Sequence, residues 1–130
     1  MIAEAREWLE QAEYDFPTAK AMFNARKYTY TIYMCQLTLE KALKAIVTQR
    51  TGEAPPRTHK LLSLAEIARI KPTKDHLEFL GIMDAIGTGA RYPKDLAATR
   101  KAYSREFTKG YLAGTGELLE WLKRKLTSEL

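Results

Sequence analysis

A set of polar residues inside an otherwise apolar segment is the first candidate for a chemical role. Gln36, Glu40 and Lys44 recur at four-residue intervals, and Lys41 stands beside them. In a helix this spacing places the three residues on one ridge, with the glutamate and the lysine in the order that favours an ion pair. Two interpretations stay open: a surface ion pair contributing a few tenths of a kcal/mol, or a set of groups that contact a ligand.

A second candidate follows a rigid turn in the middle of the chain. The segment Pro55-Pro56-Arg57-Thr58-His59-Lys60 brings Thr58 and His59 to the start of a predicted helix. Free backbone N–H groups at a helix start can hold an anion such as phosphate. The alternative is that Thr58 caps the helix while His59 packs or hydrogen-bonds locally.

A third candidate is a basic stretch that contains two tyrosines. Arg91-Tyr92-Pro93-Lys94 is followed by Arg100-Lys101-Ala102-Tyr103-Ser104-Arg105, and residues 91–110 carry a net charge of +4. Basic side chains next to Tyr92 and Tyr103 suit phosphate neutralisation combined with base stacking. Equally, a tyrosine beside a proline is a common structural anchor for a loop.

The sequence offers little for catalysis. The two histidines, His59 and His76, show no metal-ligand spacing, and no glycine-rich phosphate loop follows a strand. Cys35, the only cysteine, falls on an apolar stripe and is typical of a core thiol rather than a nucleophile. We therefore predict no catalytic residue, no metal and no cofactor.

Composition and charge narrow the class of protein. The 130 residues are 45% hydrophobic and 28% charged, values typical of one globular domain spanning 1–130. No stretch approaches the roughly 18 apolar residues that a membrane helix needs, and the N-terminus lacks a secretory pattern. We expect a cytoplasmic protein with no membrane partner. Its net charge of +5 either attracts polyanions or reflects a solvated basic surface.

Hydrophobic periodicity predicts two long helices in the first half of the chain. The first spans about residues 2–24, and Pro17 should kink or restart it. The second spans about residues 28–51 and ends at Gly52. It has one apolar stripe and a second apolar face with Tyr30, Tyr33, Met34 and Leu37, so it needs cover on two sides, in the core or at a subunit interface.

The second half predicts two or three further helices. A short helix capped by Thr58 ends by Pro72, and the next begins at Thr73 or Asp75. Gly87 and Gly89 then break the pattern, so that Ala90–Pro93 forms an ordered loop. Ser104 caps the last helix, whose buried stripe is Phe107, Tyr111, Leu118, Leu122 and Leu126. Without any strand pattern, the prediction is an all-α, up-and-down antiparallel bundle of four or five helices.

Four segments form a recognisable series along the chain. They are Trp8–Asp15, Tyr28–Ala45 with its Gln-Glu-Lys-Lys ridge, Gly52–Leu61, and Ala90–Pro93 followed by the closing helix. The series covers nearly the whole chain and resembles the HEPN domain, a helical family named for nucleotide binding in higher eukaryotes and prokaryotes. Its most specific part is the ridge followed, at this distance, by Pro-Pro and Thr-His.

The resemblance implies a helical bundle that forms homodimers and has one of two activities. One branch is proposed to bind nucleotide and partners a small, separately encoded nucleotidyltransferase, whereas another cleaves RNA without metal; both include toxin–antitoxin pairs. We expect the first activity, in a non-catalytic module that binds nucleotide or RNA. The ligand contacts we predict are Arg91, Tyr92, Lys94 and His59, supported by Lys44 and Glu40.

The nuclease branch uses an arginine, four to six spacer residues and a histidine near the start of the last helix. Arg91 occupies the arginine position, but Leu96–Ala98 stand where the histidine belongs, and no histidine follows. Arg69 and His76 have the spacing, yet they lie one helix too early and span Pro72. A metal-independent ribonuclease is therefore the alternative, together with a purely structural dimerisation module formed by the second apolar face.

Overall fold

The structure is a bundle of α-helices. The computed structural model describes the backbone of residues 1–91 and 93–128, and the side chains in those ranges other than 88–91. These ranges contain six helices and no strand, so the all-α prediction is confirmed and the predicted helix number of four or five is too low. The helices are α1 (Ala3–Asn24), α2 (Tyr28–Thr51), α3 (Leu61–Ile67), α4 (Lys74–Arg91), α5 (Leu96–Ala102) and α6 (Arg105–Thr127).

Helix α2 is the centre of the bundle. Fifteen of its 24 residues are buried, and it contacts each of the other five helices. Its predicted bounds are correct, and Gly52 ends it in the left-handed conformation at φ 71°, which glycine adopts without steric cost. The predicted apolar stripe is covered on several sides, whereas on the second apolar face Tyr30 is exposed and Tyr33, Met34 and Leu37 are half-buried.

Helix α1 lies along α2 through small side chains. Ala5, Ala12 and Ala19 are fully buried, and their seven-residue spacing places them on one face. The helix continues through Pro17 without restarting. Small residues on the contact face let the two backbones approach closely, which is why α1 and α2 form the most extensive helix pair of the bundle.

Helix α4 is longer than predicted. It runs through Gly87 and Gly89 to Arg91, so the expected break and the loop beginning at Ala90 are both wrong. A glycine costs about 1 kcal/mol in a helix, and a Cβ at Gly87 would make ordinary van der Waals contact, 3.5 Å from Nε2 of Gln36. The helix continues through Gly87 because the packing of α4 on α2 and α3 outweighs this local cost. The Thr73 hydroxyl accepts from the His76 N–H at 3.1 Å. Of the two predicted caps, Thr73 and Asp75, it is therefore Thr73 that caps α4.

Helices α5 and α6 complete the chain. The sequence pattern did not predict α5, which begins where the Asp95 side chain accepts from the Ala98 N–H at 3.2 Å. Ser104 caps α6 as predicted, accepting from the Phe107 N–H at 3.2 Å. The Phe107 side chain is not part of the buried stripe, because 41% of it is exposed. In the ranges described, no helix is both long and apolar enough to cross a membrane.

Candidate functional site

A buried carboxylate with two basic neighbours lies on α2. Oε2 of Glu40 lies 3.0 Å from Nζ of Lys44, and Oε1 lies 2.9 Å from Nδ1 of His59. The side chains of Glu40 and Lys44 are only 6% and 8% exposed. We call these three residues the carboxylate cluster. The ridge is therefore not an ordinary surface ion pair, because both charged members lie inside the protein.

Trp8 on α1 covers the lysine of the carboxylate cluster. The Nζ atom of Lys44 lies 5.4 Å from the centre of the indole ring, a distance at which the ring face attracts a cation. The neighbouring Lys41 points to a different partner, since its Nζ lies 2.7 Å from Oδ2 of Asp15. The two lysines of the ridge thus serve separate ion pairs, and only Lys44 belongs to the cluster.

His59 is the member of the cluster that reaches solvent. Its side chain is 64% exposed, and within the described part of the chain the contact with Glu40 is its one hydrogen bond. A carboxylate accepts a hydrogen bond from Nδ1–H, which leaves Nε2 for a ligand. A neutral ring then offers a lone pair at Nε2, whereas a protonated ring offers a second N–H donor. The cluster therefore presents one oriented imidazole at the surface.

Gln36 has a structural role. Its Nε2 atom donates to the backbone carbonyl of Met83 at 3.0 Å and to the hydroxyl of Tyr111 at 3.4 Å. These contacts join α2 to α4 and to α6. Burial raises the pKa of the Tyr111 hydroxyl, so the phenol stays neutral and keeps its place in the network. The first residue of the ridge holds helices together and does not face a ligand.

The anion site predicted at the start of the third helix is occupied from within the chain. Helix α3 begins at Leu61 and not directly after a cap at Thr58, and the carboxylate of Asp84 accepts from the N–H groups of Leu61 and Leu62 at 2.7 and 3.0 Å. Thr58 instead accepts from the Lys60 N–H at 3.1 Å. The predicted Thr58 cap is wrong because a side chain on α4 supplies the cap.

The basic residues after α4 are placed only in part. Arg91 is the last residue of α4, but its side chain and the whole of Tyr92 lie outside the described residues. Lys94 is exposed in the connection between α4 and α5. The structure thus brings together Glu40, Lys44 and His59, whereas the contacts predicted for the other three site residues stay predictions.

Two groups with possible reactivity have structural contacts within the bundle. The ring of His76 packs against Trp121 with centroids 4.6 Å apart, so it has a packing partner in α6. Cys35 is buried and its pKa is raised to about 12 by burial, opposed by a hydrogen bond with Thr115. Its predicted place in the core is confirmed. Throughout the described ranges, no three His, Cys, Asp or Glu side chains are grouped closely enough to hold a metal ion.

Sequence patterns missed a cleft between the α1–α2 connection and α5. Two adjoining cavities of about 340 and 420 Å³ share Arg26, Tyr28, Thr29 and Arg100 in their walls. The wall that contains Arg100, Lys101 and Tyr103 belongs to the basic stretch after α4, which the sequence did indicate. The other wall comes from residues far earlier in the chain, and no local pattern could reveal that pairing.

The fold and the cluster together define a class of protein: an all-α antiparallel bundle built around one central helix that carries a buried carboxylate. A model of the HEPN domain matches residues 5–125. This match covers nearly the whole chain. The chain therefore belongs to the HEPN family. The resemblance predicted from the ridge and the Thr-His segment is confirmed.

Two solved structures share the fold. TT1696 from Thermus thermophilus is 23% identical, with a TM-score of 0.80, and the match covers 95% of this chain and 99% of that one. ST0689, an archaeal HEPN homologue, is 24% identical, with a TM-score of 0.74 and coverage of 94% and 97%. No curated protein matches the sequence.

Proposed function

We propose that this HEPN domain is a non-catalytic, dimeric module that binds nucleotide or RNA. In the same proposal it partners a separately encoded minimal nucleotidyltransferase, as one half of a toxin–antitoxin pair. The observation that carries the binding proposal is the exposed imidazole of His59, held by the buried carboxylate of Glu40 at 2.9 Å. The family membership of the chain supports the dimer and the partner.

The carboxylate cluster is suited to contact a phosphate. Burying a charge is costly unless it is paired, and Glu40 is paired with Lys44 and hydrogen-bonded to His59. The pairing holds the imidazole in one orientation, so little side-chain entropy is lost when a ligand oxygen accepts from the Nε2–H that the protonated ring offers. The exposed Lys94 and the positive charge of residues 91–110 supply attraction at longer range.

The dimer proposal is supported by apolar side chains that the single chain leaves partly uncovered on α2. Tyr33, Met34 and Leu37 are half-buried in the protomer, although α2 is the most buried helix. Half-buried apolar residues on a central helix gain further burial from a second subunit. A mass measurement in solution at micromolar concentration tests this part, and a monomer would contradict it.

The binding proposal is tested by titrating a fluorescent single-stranded RNA with protein at low salt, beside ATP in calorimetry. We expect His59→Ala and Lys94→Ala each to weaken RNA binding several-fold, and Lys71→Ala, an exposed lysine before α4, to leave it unchanged. Co-purification with a co-expressed minimal nucleotidyltransferase tests the partner. Absence of RNA and nucleotide binding at low salt would contradict the binding proposal.

One observation favours a second candidate, a metal-independent ribonuclease. A carboxylate that orients an imidazole through Nδ1 leaves Nε2 able to act as a general base or acid, and phosphodiester cleavage needs such a group. The test is end-labelled RNA in EDTA with wild type, His59→Ala, Arg91→Ala and His76→Ala. Cleavage lost in the first two variants and retained in the third would establish the nuclease. Intact RNA throughout supports the binding module.

A further inference from the structure

The cleft between the α1–α2 connection and α5 has four basic side chains in its walls. Arg26 and Lys27 stand on one side, just before α2, and Arg100 and Lys101 stand on the other, at the end of α5. All four are exposed. Among the described residues that line the two cavities, none is acidic. We call this feature the basic cleft.

The four cations of the basic cleft are unpaired within the described part of the chain. None of them takes part in an ion pair there, whereas other basic residues do, such as Lys41 with Asp15 and Lys123 with Glu13. Like charges that face one another across a cleft repel, and this repulsion is relieved when an anion binds between them. The arrangement therefore fits a ligand that carries several negative charges.

The same cleft offers a flat aromatic surface. Tyr30 is 59% exposed and lies beside Pro93 and the exposed Leu96 in the cleft wall. The other two tyrosines among the described residues of the cleft have ring partners, because Tyr28 packs on Phe23 and Tyr103 on Phe107. In the single chain Tyr30 is thus the ring with an open face, and an exposed tyrosine next to cations is the combination that stacks a base while neutralising its phosphate.

Backbone contacts fix the wall that carries Arg26 and Lys27. The N–H of Arg26 donates to the carbonyl of Phe23 at 2.9 Å, and the N–H of Lys27 donates to that of Met22 at 2.8 Å. Both N–H groups are therefore used within the turn, and the side chains are the groups left for a ligand. The cleft is separate from the carboxylate cluster, because the ten-residue step along α2 from Tyr30 to Glu40 corresponds to about 15 Å.

We propose that the basic cleft is a second binding site, specific for a nucleotide phosphate with its base. Arg26, Lys27, Arg100 and Lys101 neutralise the phosphates, and Tyr30 stacks against the base. A free nucleoside triphosphate and the phosphorylated end of a single RNA strand carry this chemistry alike. The inference adds a site to the proposed function and does not depend on His59.

The test is calorimetric titration of the full chain with ATP, with tripolyphosphate, and with a short single-stranded RNA carrying a 5′-phosphate. We expect the double variant Arg100→Ala/Lys101→Ala to lower the affinity for each ligand that binds by at least about tenfold. We also expect the slope of log K against log salt concentration to fall by about one for each lost phosphate contact. The matched control is Lys71→Ala/Lys74→Ala, which removes the same charge from residues outside the cleft. Circular dichroism checks that both variants fold.

Tyr30→Ala separates base stacking from charge. We expect this variant to lower the affinity for ATP about tenfold, because one stacked base is lost. The affinity for tripolyphosphate, which has no base, should stay unchanged. ATP binding would identify a free nucleotide as the ligand, whereas binding of the RNA alone would identify a strand end. Equal affinities in Arg100→Ala/Lys101→Ala and in its control Lys71→Ala/Lys74→Ala would overturn the cleft proposal. A wild-type protein that binds none of the three ligands would overturn it as well.

Variants of the two sites are expected to lose different binding activities, so the two proposals can be tested separately. His59→Ala is expected to leave ATP binding at the basic cleft unchanged, whereas Arg100→Ala/Lys101→Ala retains the contribution of His59 to RNA binding. If RNA binding falls in His59→Ala while the cleft variant matches its control, the cleft proposal is wrong and the proposed function stands. The reverse result supports the cleft and contradicts the role of His59.

Discussion

The carboxylate of Asp84 on α4 caps the backbone of Leu61 at the start of α3, with Oδ1 2.7 Å from the Leu61 nitrogen. The two residues are 23 positions apart. Helix starts need an acceptor for their free N–H groups, and here it comes from another helix. The negative charge also interacts favourably with the positive end of the helix dipole. This contact fixes the segment that delivers His59 to Glu40.

Removing this cap should destabilise the protein. We expect Asp84→Ala to lower the free energy of unfolding by about 1–2 kcal/mol, the usual effect of losing a helix cap. Urea denaturation measures the change, and Glu78→Ala, an exposed acidic position on the same helix, is the control and should change stability by less than about 0.5 kcal/mol. Equal effects in the two variants would show that the cap contributes nothing.

Breaking the buried ion pair between Glu40 and Lys44 should lower the free energy of unfolding more than the loss of the Asp84 cap does. Glu40→Gln leaves the ammonium of Lys44, whose side chain is 8% exposed, without its counter-charge, and we expect a loss of about 3–5 kcal/mol. Adding Lys44→Met to this variant should restore part of the loss, because no unpaired charge stays buried. Denaturation of both variants, with the exposed Glu10→Gln as control, checks this. A double variant as unstable as Glu40→Gln would contradict the explanation.

Two glycines on α6 should respond to alanine in opposite directions. A Cβ at Gly114 would lie 2.8 Å from Cε2 of Phe79, whereas a Cβ at Gly110 would meet nothing within 4 Å. Gly110→Ala should therefore stabilise by about 0.5–1 kcal/mol through helix propensity. Gly114→Ala should destabilise, since overpacking costs about 1–3 kcal/mol. Thermal unfolding of both variants measures the signs, and a stabilised Gly114→Ala would disprove the close contact.

The Cys35 thiol should make stability depend on pH in the alkaline range. Burial raises its pKa to about 12, whereas the unfolded chain has a value of about 8.5. The folded state therefore keeps a proton that the unfolded state releases, and stability falls as pH rises between these values. The slope from this thiol is about 1.4 kcal/mol per pH unit.

The contribution of the thiol is measured by comparing wild type with Cys35→Ala. Urea denaturation at about pH 9 and 10 should show the decline in the wild type and a slope smaller by about 1.4 kcal/mol per pH unit in the variant. The same slope in both proteins would mean that other groups cause the decline. A thiol reagent near neutral pH should react with Cys35 only after unfolding, since the side chain is buried.

Local signals predicted the elements that local interactions decide. The bounds of α2, the left-handed Gly52 that ends it and the Ser104 cap of α6 all follow from residues within one or two turns. The break at Gly87 was predicted by the same logic and is wrong. There the tertiary contacts of α4, such as the hydrogen bond from Gln36 to the Met83 carbonyl, outweigh the cost in helix propensity.

The site was predictable in its residues and not in its geometry. Four-residue spacing placed Glu40 beside Lys44, but it left open whether the pair is exposed or buried. His59 was singled out for a helix start that Asp84 occupies, and the partner it has in the structure is Glu40. Burial and long-range partners depend on which helices cover a residue, and sequence spacing reports only neighbours along one helix.

The sequence by itself determined the class of the protein: an all-α bundle around one doubly apolar helix, with a basic surface and the HEPN series of segments. Helical periodicity carries this information because each helix buries its own apolar stripe. Only the tertiary structure decided that Glu40 lies inside with His59 at its surface end, and that Arg26 faces Arg100 across a cleft. Such pairs arise from helix packing, which joins residues that are remote in sequence.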